Sequence, residues 1–268
     1  MKKAKIALIG VPFDERSSYA RGASKAPSMI RSAWHSPSSN MYSENGTCVD
    51  DSLVWDAGDV TFCAEKEAFS SIQKKVEDVL KQGFRPICLG GDHSITYPVV
   101  KAFSRHYRGL NILHIDAHPD LYDIFEGDRL SHACPFARIM EDGLAKRLVQ
   151  IGIRTLSQHQ REQVARYGVE VMDMSDWDEG RKLSFSGPVY ISFDVDALDP
   201  AFAPGVSHRE PGGLSTRQVI SVIQSFKGSA VGADIVEFNP LRDVPGMTDM
   251  VCSKILKEIA ARMSRSER

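Results

Sequence analysis

The sequence predicts an α/β fold, a three-layer sandwich in which helices cover both faces of a mostly parallel central sheet. Three observations predict it. Short, continuous runs of apolar, β-branched and aromatic residues, as at 86–89, 111–115 and 189–193, match strands buried on both faces. Segments of helical periodicity separate such runs, several opened by a capping residue such as Ser94 or Ser215. The residues that carry chemistry stand at the ends of the runs, and in sheets of this kind ligands sit beyond the carboxyl ends of the strands. With 268 residues, 42% of them hydrophobic and 25% charged, the chain can bury a large core as one domain spanning 1–268.

In chain order, a first strand is expected at 5–10 and a helix at 26–34. The stretch 35–60, with Pro, Ser, Asn and Gly and little periodicity, reads as a surface excursion. A helix over 66–82, a strand over 86–89 and a helix over 95–106 follow, then a strand over 111–115 and a helix over 134–143. The second half alternates in the same way, with strands at 148–152, 169–172, 189–193 and 231–236 and helices at 158–167, 215–226 and 249–262. That alternation implies right-handed crossovers between parallel strands. No repeat, low-complexity run or linker interrupts it.

Three motifs close three of the runs: Gly90-Gly91-Asp92-His93-Ser94, Asp116-Ala117-His118-Pro119-Asp120 and Asp194-Val195-Asp196. Side chains on an extended backbone repeat with period two, so Asp116, His118 and Asp120 share one side, as do Asp194 and Asp196. Together with His93 they bring four carboxylates and two imidazoles to one end of the sheet. Without counter-charge such carboxylates repel, and burial favours their protonated form. Two divalent cations remove that cost. Carboxylate and imidazole donors without a thiolate favour hard first-row ions, Mn²⁺ first, with Fe, Co, Ni and Zn also compatible. A metal pair bridged by a shared carboxylate brings the pKa of a bridging water towards neutrality. Asp92 and Asp234 read as supporting or capping residues, and His114, deeper in its strand than Asp116, as a core or supporting histidine.

Composition excludes several classes. A formal charge of −2 with no basic stripe argues against nucleic acid as a partner. No apolar run reaches membrane-spanning length, so no membrane partner is expected. Met1-Lys2-Lys3-Ala4-Lys5 leads into an apolar run too short for a signal-peptide core. Five cysteines, at 48, 63, 88, 134 and 252, contain no Cys-x-x-Cys pair and read as free thiols of a cytoplasmic protein.

These motifs resemble the signature of the ureohydrolase family, the arginases and agmatinases, and the likeness runs from Gly10-Val11-Pro12 to the last helix. It includes Asp199-Pro200-Ala201-Phe202-Ala203-Pro204-Gly205, Pro211-Gly212-Gly213-Leu214 and Val236-Glu237-Phe238-Asn239-Pro240. Phe125-Glu126-Gly127, Ser131-His132-Ala133 with Phe136-Ala137-Arg138-Ile139-Met140-Glu141, and Gly205-Val206-Ser207-His208 are most similar to plant-type arginases. The resemblance implies an arginase-like fold that binds two Mn²⁺ per chain. One ion would be held by His93, Asp116, Asp120 and Asp194, the other by Asp116, His118, Asp194 and Asp196, with Asp116 and Asp194 bridging. Catalytic roles fall to His132, Asp120 and Glu237. His132 would shuttle protons, a task suited to a pKa of about 6.5, and Glu237 would hold the substrate guanidinium, a planar cation that prefers a bidentate carboxylate. A homotrimer or homohexamer is implied.

The implied reaction is hydrolysis of a guanidino group to urea and an amine. Animal arginases grip the substrate α-carboxylate with an asparagine two residues after the Asp-x-His-x-Asp motif and a later serine; those places hold Tyr122 and, within a loop one residue shorter, about Arg129. The acids that bind the α-amino group are replaced by Ser157 and Gln160. Arg129, Ser157 and His208 are therefore the expected contacts to the far end of the substrate. L-Arginine, giving L-ornithine, is the first reading; agmatine, giving putrescine, and other guanidino or formimino compounds are the alternatives. A binding protein that has lost activity would have lost a ligand, His132 or Glu237, and none is missing.

Overall fold

The computed structural model describes residues 6–265. Eight strands form one sheet: β1 (Ile6–Gly10), β2 (Val54–Asp59), β3 (Arg85–Leu89), β4 (Asn111–Ile115), β5 (Arg147–Ile153), β6 (Glu170–Asp173), β7 (Ser184–Asp194) and β8 (Lys227–Val236). Their order is β2-β1-β3-β8-β7-β4-β5-β6, and every pair is parallel. Residue 5, the first of the expected strand at 5–10, lies outside the described residues.

Parallel strands need crossovers, and six α-helices lie in the connections between strands, α1 (Ala26–Trp34), α2 (Ala68–Lys81), α3 (Thr96–His106), α4 (Pro135–Glu141), α5 (Gln158–Tyr167) and α6 (Thr216–Ser225), while α7 (Thr248–Ser264) follows β8 and packs back on the sheet. Period-two alternation sorts the strand residues between two faces. Leu8, Leu113, Ile191 and Phe193 join the core that includes residues of α1, α6 and α7, whereas Ile9, Cys88, Ile112 and Tyr190 join the core with residues of α2, α3 and α4. Burial on both sides is why these strands read as continuous apolar runs. Among the described residues no helix is long and apolar enough to cross a membrane.

One strand was not expected. β2 lies inside the stretch read as a surface excursion, pairs with β1 alone at the sheet edge, and buries only Val54. An edge strand with one ladder and a solvated face carries neither an apolar run nor clean alternation. Its carboxylates, Asp56 and Asp59, instead hold the Arg31 guanidinium of α1. β7 and β8 also begin earlier than their apolar segments, at Ser184 and Lys227.

This strand order matters for function. The chain leaves β3 and re-enters the sheet at β4 with β8 and β7 between them, so β3, β8, β7 and β4 lie side by side at the centre. All run the same way. Their carboxyl ends therefore open on one line, and His93, Glu237, Asp194 and Asp116 stand along it.

Candidate metal centre and pocket

Glycines at the exit of β3 let two loops approach. A Cβ on Gly91 would lie 1.6 Å from the Phe13 carbonyl oxygen, and the next residue donates its N–H to that oxygen at 2.9 Å. Asp92 then caps the following turn, accepting from the Ser94 amide at 3.0 Å and the Arg16 amide at 2.9 Å. It is a supporting residue. The turn delivers His93 into the interior, where its Nε2 lies 3.0 Å from Ser192 Oγ. Ser192 donates to Asp234, which also accepts from Thr96 and Tyr190, each at 2.7 Å. The Ser192 proton is thereby committed, so Nε2 carries the ring hydrogen and Nδ1 points away from the strand.

That Nδ1 is the orphan of the site. Fully buried, it faces Asp116 Oδ2 at 3.1 Å, Asp120 Oδ2 at 3.0 Å and Asp194 Oδ2 at 3.1 Å, with no well-directed hydrogen bond. A ring nitrogen ringed by three carboxylate oxygens is what a divalent cation requires. The second histidine repeats the arrangement: His118 Nδ1 lies 3.1 Å from Asp196 Oδ2 and 3.5 Å from Asp116 Oδ1. Asp116 thus turns one oxygen to each histidine. All six expected ligands come together, and the donor set fits a pair of hard divalent ions.

The backbone bends to make this possible. Asp120 (φ 49°) and Glu237 (φ 63°) adopt the left-handed conformation that residues with a Cβ avoid. Strain of this kind costs on the order of 1–3 kcal/mol per residue and collects at functional sites. Electrostatics adds to it. Burial, reinforced by the charges of Asp196 and Asp116, pushes Asp194 well above the usual carboxylate range, and burial raises Asp196 too. For Asp116, burial acts upward, but His114, His118 and His93 outweigh it and hold the group ionised. Carboxylates held in opposed protonation states are the conflict that cations relieve.

Above this floor lies a cavity of about 190 Å³, lined by Ser18, His118, Asp120, Tyr122, Phe125, His132, Ala133, Asp194, Asp196, His208 and Glu237. Its volume suits one small molecule. Glu237 is fixed by two bonds to Oε1, one donated by the His93 amide at 2.9 Å and one shared with His132 Nδ1 at 3.0 Å. Burial lowers the His132 pKa, but the hydrogen bond and charge of Glu237 override it and bring it to about 9. The ring of His208 stacks on His132 with centroids 5.3 Å apart.

Two expected substrate contacts lie elsewhere. Arg129 does not line the cavity; its guanidinium pairs with Asp123 and Glu141, at 2.9 and 2.8 Å. The carboxylates of its own loop and of α4 capture it first. Ser157 is the N-cap of α5, accepting from the Gln160 amide while Gln160 bonds back, so both polar side chains are spent on a capping box. His208 does reach the cavity. Ser18, from a loop without periodicity, was not signalled by the sequence at all, whereas Ser192 was findable, standing two residues before Asp194 on the same strand face.

Comparison with known proteins places the chain in a family. The family model described as "Arginase family" matches residues 4–261. The chain belongs to the arginase family. It is similar to "Arginase 1, mitochondrial" of Arabidopsis thaliana, 47% identical over 98% of this chain and 82% of the relative. It is also similar to "Agmatinase, mitochondrial" of Gallus gallus, 35% identical over 94% of this chain and 79% of the relative. Among solved structures, the arginase from Medicago truncatula superposes with a TM-score of 0.93 at 44% identity, covering 98% of this chain and 88% of that one. The arginase-family fold expected from the motifs is therefore the fold observed. The cytoplasmic location is corrected: the arginases it resembles bear mitochondrial names.

Proposed function

We propose that this chain is a binuclear manganese ureohydrolase that cleaves L-arginine to L-ornithine and urea, with residues 1–268 as one catalytic domain. The observation that carries this reading is the pair of imidazole Nδ1 atoms set among four carboxylates directly beneath the His132–Glu237 pair. His93, Asp116, Asp120 and Asp194 would hold one Mn²⁺ and Asp116, His118, Asp194 and Asp196 the other. Bound there, the ions would supply an activated water and Lewis acidity.

The remaining chemistry belongs to the protein's own groups. Glu237 has one oxygen committed to His132 and the His93 amide, which leaves Oε2 for the substrate guanidinium. Bound to it, the guanidinium carbon lies over the carboxylate floor. His132, held protonated at neutral pH by Glu237, gives its proton to the departing amine. Tyr122 and Phe125 wall the cavity and limit bulk water.

Arginine is preferred because identity to the plant arginase exceeds that to the agmatinase, 47% against 35%. Agmatine is the second reading, favoured by one observation: among the described residues no arginine or lysine lines the cavity to meet an α-carboxylate. Urea release from Mn²⁺-loaded protein, with arginine and agmatine compared, tests both. Arginine is expected to give the higher kcat/KM; agmatine preferred would replace the arginase reading and leave the metal chemistry in place. We also infer a homotrimer or homohexamer, which light scattering tests.

A further inference from the structure

His132 must carry a proton at one stage of the proposed reaction and lack it at another. Its Nδ1 is held by Glu237, so Nε2 is the ring nitrogen that exchanges a proton with the pocket. Nε2 lies 2.8 Å from Ser18 Oγ and 3.3 Å from the Ser18 backbone nitrogen. These two groups make different demands. A backbone N–H only donates, so it favours the neutral ring with a lone pair on Nε2. A hydroxyl offers one hydrogen and two lone pairs, so it serves either form.

We infer that Ser18 is the positioning residue of the proton shuttle: its hydroxyl accepts from Nε2–H of the charged ring, then turns to donate to the bare Nε2 once the proton has gone. The step balances without a further reactant. The Nε2–H bond breaks as the proton passes to the nitrogen of the departing amine, the electron pair stays on Nε2, and the Ser18 O–H rotates into it.

The geometry supports a fixed partner rather than a passing contact. Asp14 Oδ2 closes the loop that bears Ser18 by accepting from the amides of Gly22 (2.7 Å) and Ser24 (3.1 Å). Arg16 anchors its centre, with its amide on Asp92 and its guanidinium between Glu65 and Asp128. The Arg16 carbonyl in turn accepts from the His132 amide at 3.3 Å, so the loop and the histidine are tied through their backbones. The charged and titratable groups facing His132 are Glu237 after β8, Asp92 after β3, Asp120 after β4 and the stacked ring of His208. The three carboxylates favour the charged ring. Ser18 Oγ lies within hydrogen-bond reach of Nε2, whereas Glu237 bonds to Nδ1.

The inference rests on His132 being the proton donor, and the test separates the two. Mn²⁺-loaded Ser18→Ala, Ser18→Thr and His132→Asn are assayed for kcat and KM from pH 6.5 to 10, with bound metal counted in each. Ser18→Ala removes the acceptor for the charged ring and keeps the opposing amide. It is expected to retain both metals and an unchanged KM, to lose about ten- to a hundredfold in kcat, and to move the alkaline limb of the profile down by about one pH unit. Ser18→Thr, which keeps the hydroxyl, should follow the wild type. A wild-type profile for Ser18→Ala, a change in KM alone, loss of metal, or a threonine variant as slow as alanine would each overturn the role of Ser18. An unimpaired His132→Asn would instead remove His132 as donor, and Ser18 with it.

Discussion

His114 Nε2 lies 2.7 Å from Asp116 Oδ2, two residues further on and just past the end of β4, with both groups fully buried. Gln150 on the neighbouring β5 fixes the direction of this bond. Its amide nitrogen donates to His114 Nδ1 at 3.0 Å and to the Pro119 carbonyl at 2.6 Å. Nδ1 is therefore the acceptor and Nε2 carries the hydrogen that Asp116 receives. Burial lowers the His114 pKa, in keeping with a neutral ring. The consequence is a carboxylate that cannot rotate, with Oδ2 kept towards His93 and Oδ1 towards His118. Replacing His114 by Phe, which keeps the stacking on Phe136 but not the donor, should weaken metal binding about 10- to 100-fold. Titration of chelated protein with Mn²⁺, followed by electron paramagnetic resonance, measures this; wild-type affinity in the variant would count against it.

In the proposed arrangement Asp116 and Asp194 would each serve both ions, so Asp116→Asn and Asp194→Asn should each lose two metals rather than one. Asp196→Asn, facing only the His118 side, should retain the ion at His93. Chelation should also lower the melting temperature. Ions that bind only the folded chain contribute about 4 kcal/mol when present at a thousandfold excess over their dissociation constant. Elemental analysis together with calorimetry decides the matter: full occupancy in Asp116→Asn, or a melting temperature indifferent to chelator, would rule out the shared-carboxylate arrangement.

Burial explains what could be read from the chain and what could not. β3, β4 and β7 are covered on both faces, so their runs announce themselves, and their exits carry acids and histidines too costly to bury without a purpose. Register does the rest. A period-two pattern puts Asp116, His118 and Asp120 on one side before any neighbour is known. Side-chain partners formed between distant loops leave no such trace. Nothing local to Arg129 shows that Asp123 and Glu141 will hold its guanidinium. Ser157 illustrates a different limit, since Ser157-x-x-Gln160 is itself a capping pattern and the structure uses it as one. β2, half solvated and paired once, has no pattern to find.

The His132–Glu237 pair predicts a pH-dependent stability. His132 sits at about 9 in the folded chain and at about 6.5 when unfolded. A folded pKa raised above the unfolded one means that the folded state holds its proton more tightly. Its contribution is fully present below pH 6.5 and fades as the pH rises through 9. For a buried pair the size is on the order of 3 kcal/mol. Urea denaturation of chelated wild type and His132→Asn should therefore show a gap that is wider at pH 6 than at pH 9.5. Equal gaps at both would mean that the pair does not hold the proton.

Discrimination between arginine and agmatine must arise at the far end of the substrate, since both present the same guanidinium to Glu237. Arg129 cannot supply it while paired with Asp123 and Glu141, both outside the cavity. Arg129→Ala should accordingly leave the ratio of kcat/KM for the two substrates near its wild-type value. The cavity instead offers Tyr122 and His208, the latter 6.0 Å from His118 and 5.8 Å from Tyr19, ring to ring. An imidazole N–H donates to a carboxylate, which arginine carries and agmatine lacks, so a His208 N–H turned to the far end of the substrate favours arginine. A hydrogen bond to a charged group contributes about 1.5–3 kcal/mol, or roughly ten- to a hundredfold in kcat/KM. His208→Ala is expected to lower kcat/KM for arginine by that factor, to change agmatine far less, and so to narrow the ratio. Loss of both activities in parallel would place His208 with His132 in the proton chemistry, and a collapse of the ratio in Arg129→Ala would mean that the loop 121–131 opens its ion pairs when substrate binds.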